Sequence, residues 1–469
     1  MPISTLNPLC FKKAGFYGED AASPRVQPFP AGAGGCGNFR IPALIRLSDG
    51  ALFAVSDARW DNARWDAGGI DTIFSISEDG GASWRVGYAA LFPDSLGTPA
   101  NLPDATICID PAALEDGRGR IHIMVDMFPT GRAPGIASEQ LAGAGFAEAD
   151  GKQRLMLTDS WTQAFEPPED YAYYAGDPSD GFAPVCRRGG GRTDWALDQY
   201  FNIYRKTKTG FEPLTQKRVD SDDMVQQNVF YRDSALHVYN TGYVLHLVSA
   251  DRARTWRAEL IPGALKRPDE RGLVVSPGRG LRMAGGRLVF PFYGSTGDTA
   301  RVCLLWSDDD GDTWRRSADM PLTKDIRWHS ESEAVELEGG RLRMFFRNSL
   351  QRICWADALP AADGGYEWRE PVVSGVAVHS DCNLSAIGLD DRILVAYAEG
   401  EGPTNSGRLR GTIYVFDRDM RLEKRVCVEP GSFSYPSLCR VNADTVGVLF
   451  DTCDEGRETL VTVPVSALV

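Results

Sequence analysis

Residues 39–84 read FRIPALIRLSDGALFAVSDARWDNARWDAGGIDTIFSISEDGGASW. Two strands of alternating apolar residues flank a Ser48-Asp49-Gly50 turn, and a third ends in an acidic, glycine-rich turn closed by Trp84. Arginines and aspartates fall at the strand ends. A rigid β scaffold presents its chemistry from such ends, so Arg40, Arg59 and Asp66 are the first candidate functional residues.

The same hairpin recurs along the chain, with turns at Asp49-Gly50, 116–119, Gly285-Gly286, Gly339-Gly340, Asp390-Asp391 and 442–444. From 285 to 339, 339 to 390 and 390 to 442 the steps are 54, 51 and 52 residues. A period near fifty predicts a β-propeller with one four-stranded blade per repeat, and six hairpins predict six blades. Residues 130–224 break the pattern. They are rich in Gly, Pro, Asp and Tyr, carry no repeat, and read as an irregular insertion in a single propeller domain spanning 1–469, placed as a rim or cap near its mouth.

A second motif has the form SxDxGxTW. Residues 77–84 (SEDGGASW) and 307–314 (SDDDGDTW) are good copies; 249–256 (SADRARTW) lacks the glycine and 361–368 (AADGGYEW) lacks the serine. A carboxylate can bond turn amides, glycine can take positive φ, and tryptophan can plug a blade core, so the boxes read as folding devices rather than catalytic ones.

The 469 residues include 49 glycines and 10% aromatics, with no long helical periodicity, which favours one large all-β body. A net charge of −14 argues against nucleic acid or an anionic membrane surface as the main partner, so an anionic substrate would need a local cationic pocket. The ten cysteines show no CxxC spacing and the five histidines no HExxH pattern; the cysteines read as reduced core residues, and no metal or cofactor is expected. No apolar run approaches a membrane span, and the first twenty residues lack a signal-peptide pattern. Cytoplasm is the default expectation, with a secreted form whose signal has been removed as the alternative.

Taken together, Phe39-Arg40-Ile41-Pro42, the SxDxGxTW boxes and the propeller repeat resemble the bacterial exo-α-sialidases (neuraminidases), and the likeness covers essentially the whole chain. That resemblance implies a retaining glycosidase acting on terminal sialic acids of glycoproteins, glycolipids and oligosaccharides. It implies three arginines that grip the sugar carboxylate: Arg40, Arg347 in RLRMFFRN, and Arg408 in NSGRLRGTIYV, with Arg410 as the rival two residues on. Asp66 matches the family's acid/base aspartate, with Asp61 as its rival. Arg59 and Asp110 match the pair that holds the 4-hydroxyl, Tyr435 in FSYPSL the nucleophile, and Glu331 in SESEAVELEGG its partner base. Ile41 and Tyr293 are expected to line the pocket. Arginine suits carboxylate binding because its planar fork binds bidentately and stays charged at any working pH. Two other outcomes stay open on the sequence: transfer or anhydro-forming chemistry at the same site, and a non-catalytic propeller that binds glycans or proteins.

Overall fold

The computed structural model describes residues 17–20, 25–60, 66, 68–93, 106–130, 140–166, 171–219, 221–378, 381–400, 407–452 and 455–469. Asp61 lies outside them. The described chain is all-β in a propeller-like arrangement of antiparallel meanders, and its one α-helix among these residues is the terminal turn Val465–Leu468.

In the first meander Asn38–Arg46, Leu52–Arg59, Ile70–Ser77 and Ser83–Ala90 pair in succession. The second runs Ile107–Glu115, Ile121–Phe128, Tyr243–Ser249 and Arg257–Leu260, and joins the first through one parallel pair, Ile70 with Ile107. Four more follow, opening on Gly272–Val275, His329–Glu336, Ser385–Leu389 and Ser434–Asn442. Strands such as Leu52–Arg59 and Ile70–Ser77 are buried along their whole length, because each meander packs on neighbours through both faces. Apolar clusters therefore sit between successive sheets, as where Ala334, Met344 and Phe346 meet Val289, Val302 and Leu304.

The boxes hold the outer turns. Asp79 accepts the amides of Ala82 and Ser83 at 2.9 Å each and the Ser83 hydroxyl at 2.6 Å. The Ser83 hydroxyl and amide hold its carboxyl down to about 2. Asp251 and Asp309 repeat the scheme with Thr255 and Thr313. Where the third box lacks glycine, Arg252 and Ala253 themselves adopt φ of 62° and 61°. Trp84, Trp256 and Trp314 are buried, but in the fourth box the buried ring is Tyr366, packed edge-on to Trp306 at 5.8 Å, while Trp368 stays half-exposed and donates to Ala318 O at 2.8 Å.

The segment expected to be irregular is not. Within residues 130–224 the chain forms a seven-stranded antiparallel sheet from Phe146–Ala149 to Phe211–Pro213, followed by the hairpin Thr215–Lys217 with Met224–Gln226. Its strands have three to six residues and are largely half-exposed, so they carry too few alternating apolar positions to stand out among the Gly and Asp turns. Leu155, Leu157, Val185, Leu197, Tyr200 and Ile203 nevertheless join the core shared by the first two meanders, and Tyr200 Oη donates to Ala89 O at 3.1 Å. Ala90 pairs with Thr72, Thr72 with Asp57, and Asp57 with Arg40, so the sheet docks at the strand ends that carry Arg40 and Arg59.

Candidate functional site

The first strands of four meanders carry a register break at the same relative place. The breaks lie between Arg40 and Ala43, Ile109 and Ala112, His329 and Ser332, and Ser434 and Ser437. A β-bulge re-aims a side chain and can accept a proline, which has no amide to give to the ladder. Three of the four contain an X-Pro pair whose first residue has positive φ: Ile41 at 61°, Asp110 at 65° and Tyr435 at 45°. For a β-branched residue such as Ile41 this is a strained conformation, held here because the Ile41 amide donates to Asp451 Oδ2 at 3.1 Å and its side chain is buried. The fourth bulge presents Glu331.

These bulges bring together residues far apart in the chain. Tyr435 Oη donates to Glu331 Oε1 at 3.0 Å, and Arg347 Nη1 donates to Glu331 Oε2 at 2.9 Å. Arg408 lies over the Tyr435 ring at 5.3 Å and Arg40 at 5.6 Å. Arg40 is fixed from behind by Asp451, which accepts its Nε at 3.2 Å. Arg410 points elsewhere: it is exposed and pairs with Glu399 at 3.4 Å. Arg410 has φ of 60° at a register break, so it does not share a face with Arg408 as residues two apart on a regular strand would.

On the first meander Arg59 is fully buried and bridges two carboxylates, reaching Asp57 through Nη2 at 2.9 Å and Asp66 through Nη1 at 2.8 Å. Asp57 also accepts the Asp110 amide at 3.1 Å, which ties the first bulge-bearing strand pair to the second. Tyr293, half-buried on Leu288–Ser295, lies close enough to Glu331, Asp110 and Tyr435 for their charges to act on it.

The electrostatics divide the site into two halves. Burial pushes the Tyr435 phenol well above its ordinary value and Glu331 adds to this, while Arg347 and Arg408 oppose both. The phenol is held protonated next to a base. Burial likewise raises the carboxyl of Asp110, helped by Asp57 and Glu331, and raises Asp57 to about 7 against the pull of Arg59. At Asp66 loss of surrounding water acts upward, but Arg59, Arg40 and Arg408 outweigh it and hold the carboxyl below its usual range; its side chain keeps 54% exposure at the mouth.

Every candidate from the sequence except the rival Asp61 can thus be placed: Arg40, Arg59, Asp66, Asp110, Tyr293, Glu331, Arg347, Arg408 and Tyr435 lie close enough to act on one another, and Ile41 packs in the apolar cluster that also holds Tyr435. Sequence reading passed over Asp57, Asp381 and Asp451, the acids that hold three of the arginines. The DAR triplet at 57–59 carried a local signal for Asp57: two charged residues two apart on a strand share a face.

Residues 228–448 match a BNR repeat-like domain. The chain is 26% identical over 462 residues to the anhydrosialidase of Macrobdella decora, covering 89% of this chain and 58% of that protein. It is 26% identical over 333 residues to sialidase B of Streptococcus pneumoniae serotype 4, covering 66% of this chain and 45% of that one. The chain therefore spans about half the length of these curated relatives. A crystal structure of the intramolecular trans-sialidase from Ruminococcus gnavus in complex with oseltamivir carboxylate superposes with a TM-score of 0.77 at 23% identity, over 92% of this chain and 96% of that one, a likeness of fold.

Proposed function

We propose that this chain, which belongs to the bacterial-type sialidase family, is a retaining exo-α-sialidase that releases terminal α-linked sialic acids from glycoconjugates. Its repeating meanders are read as six blades of a single sialidase-type propeller over residues 1–469, with the inserted sheet at about 130–224. The observation that carries the functional reading is the Tyr435–Glu331 hydrogen bond set among Arg40, Arg347 and Arg408.

In a sialic acid the anomeric carbon bears a carboxylate. An attacking carboxylate about 4 Å away would meet a repulsion of about 1 kcal/mol in water and about 4 kcal/mol at an effective dielectric of 20. A neutral phenol avoids that cost, and tyrosine nucleophiles are a known exception to the two-carboxylate scheme of glycosidases. Making phenolate near neutral pH costs about 4 kcal/mol from the ordinary tyrosine value, and more from the raised value here. Transfer of the proton to Glu331 as the oxygen attacks lowers that cost, because no free phenolate forms.

In this mechanism Arg40, Arg347 and Arg408 bind the sugar carboxylate, and Arg59 and Asp110 take the 4-hydroxyl. Ile41 and Tyr293 line the pocket. Asp66 protonates the departing oxygen. Its low pKa in the free site rises once the substrate carboxylate neutralises Arg40 and Arg408, two of the groups that hold it down. Water activated by Asp66 then attacks the glycosyl-tyrosine, and two inversions give the α-anomer as first product.

A second reading keeps the same glycosyl-tyrosine but lets one of the sugar's own hydroxyls displace Tyr435, giving an anhydro sugar. It is favoured by the long alignment with an anhydrosialidase. A proton NMR time course on a sialyllactose separates the outcomes. Early α-sialic acid supports hydrolysis, an anhydro sugar supports the second reading, the β-anomer first rejects the tyrosine route, and no turnover of any sialoside leaves a binding propeller.

A further inference from the structure

Arg347 is engaged by acids on two sides. Glu331 takes Nη1, while Asp381 Oδ1 accepts Nε at 2.7 Å and also Nη2. The same residue reaches Arg408, whose Nη2 donates to the Asp381 backbone carbonyl at 2.8 Å. One residue thus braces two arginines that are 61 positions apart in sequence, one through its side chain and one through its main chain.

The brace is itself anchored. The next carbonyl, Cys382 O, accepts Tyr397 Oη at 3.0 Å, and Asn383 Nδ2 donates to Pro277 O at 2.7 Å; Cys382, Asn383 and Tyr397 are all buried. Asp381, with a side chain 39% exposed, therefore projects from a fixed seat into the open part of the site.

A guanidinium offers two bidentate edges, a side-on edge of Nε with one Nη and an end-on edge of both Nη groups. Asp381 occupies the side-on edge of Arg347. Glu331 takes one N–H of Nη1 and Asp381 one of Nη2, which leaves one N–H on each Nη for an incoming carboxylate. We infer that Asp381 is a positioning residue for substrate recognition: it locks the side-on edge of Arg347 and steadies Arg408, so that the two guanidinium groups meet the substrate carboxylate in one fixed arrangement. Without it Arg347 can rotate onto Glu331, its other carboxylate partner, which withdraws the arginine from the substrate.

The inference rests on the sialidase reading, and its test keeps the two apart. The probe pair is the 2,3-dehydrated sialic acid glycal and its methyl ester, which differ only in the charged carboxylate, measured as Ki against a fluorogenic sialoside together with the melting temperature. In Asp381→Ala the preference for acid over ester should fall by about tenfold or more, as expected when a charge-assisted fork is lost, whereas Asp381→Asn keeps an acceptor at Oδ1 and should hold the preference within about threefold of wild type. A purely structural role would weaken acid and ester alike. An unchanged ratio in folded Asp381→Ala, or a collapse of the ratio in Asp381→Asn equal to that in Asp381→Ala, overturns the inference. If Asp381→Ala does not fold, Asp381→Ser takes its place with the same criterion. Failure of wild type to bind the glycal or turn over any sialoside would instead overturn the sialidase reading.

Discussion

Tyr435 and Glu331, 104 residues apart in the chain, share a hydrogen bond of 3.0 Å at the bulges of two different meanders. Glu331 also holds Arg347, so replacing it tests the base without emptying the site. Glu331→Gln keeps an acceptor for the phenol but cannot take its proton, and turnover should fall by about 10²- to 10⁴-fold, the usual worth of general base catalysis. Tyr435→Phe should cost at least as much in single-turnover rate on a fluorogenic sialoside. Near-full turnover in folded Tyr435→Phe would remove the nucleophile assignment.

The boxes predict stability rather than rate. Trp314 is buried against Phe290 at 5.7 Å and edge-on to His246 at 5.6 Å, and Trp314→Ala should cost about 3–5 kcal/mol as a core aromatic truncation. Trp368 holds the equivalent place in its motif but not in the core, where Tyr366 substitutes for it. Trp368→Ala should cost only about 1–2 kcal/mol, mainly for the bond to Ala318 O and partial burial. Urea titrations of the two variants give the comparison, and equal losses would contradict the assignment of Tyr366 as the plug.

What the sequence disclosed depended on how local the signal was. The outer turns were legible because each box folds within eight residues, and the hairpin period because each meander closes on itself. Arg40 was legible as an arginine at a strand end, whereas Glu331 and Tyr435 were legible only through resemblance, since the bulges that aim them depend on pairing across strands. The acids behind the arginines were hidden for the same reason: Asp451 meets Arg40 across 411 positions, and nothing near either residue announces the pair. Arg408 and Arg410 could not be separated by counting, because the register break between them is a property of the sheet. The inserted sheet was missed because its short, half-exposed strands lack the apolar alternation that marks the blades.

Two buried histidines contribute to the response of the fold to acid. Burial lowers His246 and His329 from 6.5 to about 4, against the pull of Glu259 on the first and the Pro321 carbonyl on the second. His329 accepts the Val302 amide through Nδ1 at 2.8 Å, a role open only to an unprotonated nitrogen. The folded chain therefore binds fewer protons at these rings than the unfolded chain does between pH 6.5 and about 4. Their contribution is complete above 6.5 and is lost as pH falls toward 4, at about 1.4 kcal/mol per pH unit for each ring. Melting temperature should decline across that window, and nitrogen-15 NMR of the imidazoles should find both rings neutral at pH 5.5. Titration of either ring near 6.5 in the folded chain would refute this.

Arg59 joins stability to chemistry, because it pairs a buried carboxylate on one side and the exposed Asp66 on the other. Arg59→Met leaves Asp57 buried without its cation and should cost about 3–5 kcal/mol, whereas Asp57→Asn with Arg59→Met removes both charges and should recover much of that loss. The double-mutant cycle, read by urea unfolding, measures the coupling. Activity gives the second readout. Arg59 is the foremost of the three arginines that hold the Asp66 carboxyl down, so its removal moves that carboxyl up toward its ordinary value. Asp66 must carry a proton to release the leaving group, and a higher pKa keeps it protonated to higher pH. The basic limb of kcat/KM for the double variant should therefore shift to higher pH than in wild type, even if the lost contact to the 4-hydroxyl lowers its plateau. A basic limb that stays in place while the plateau falls would mean that Asp66 is not the acid the limb reports.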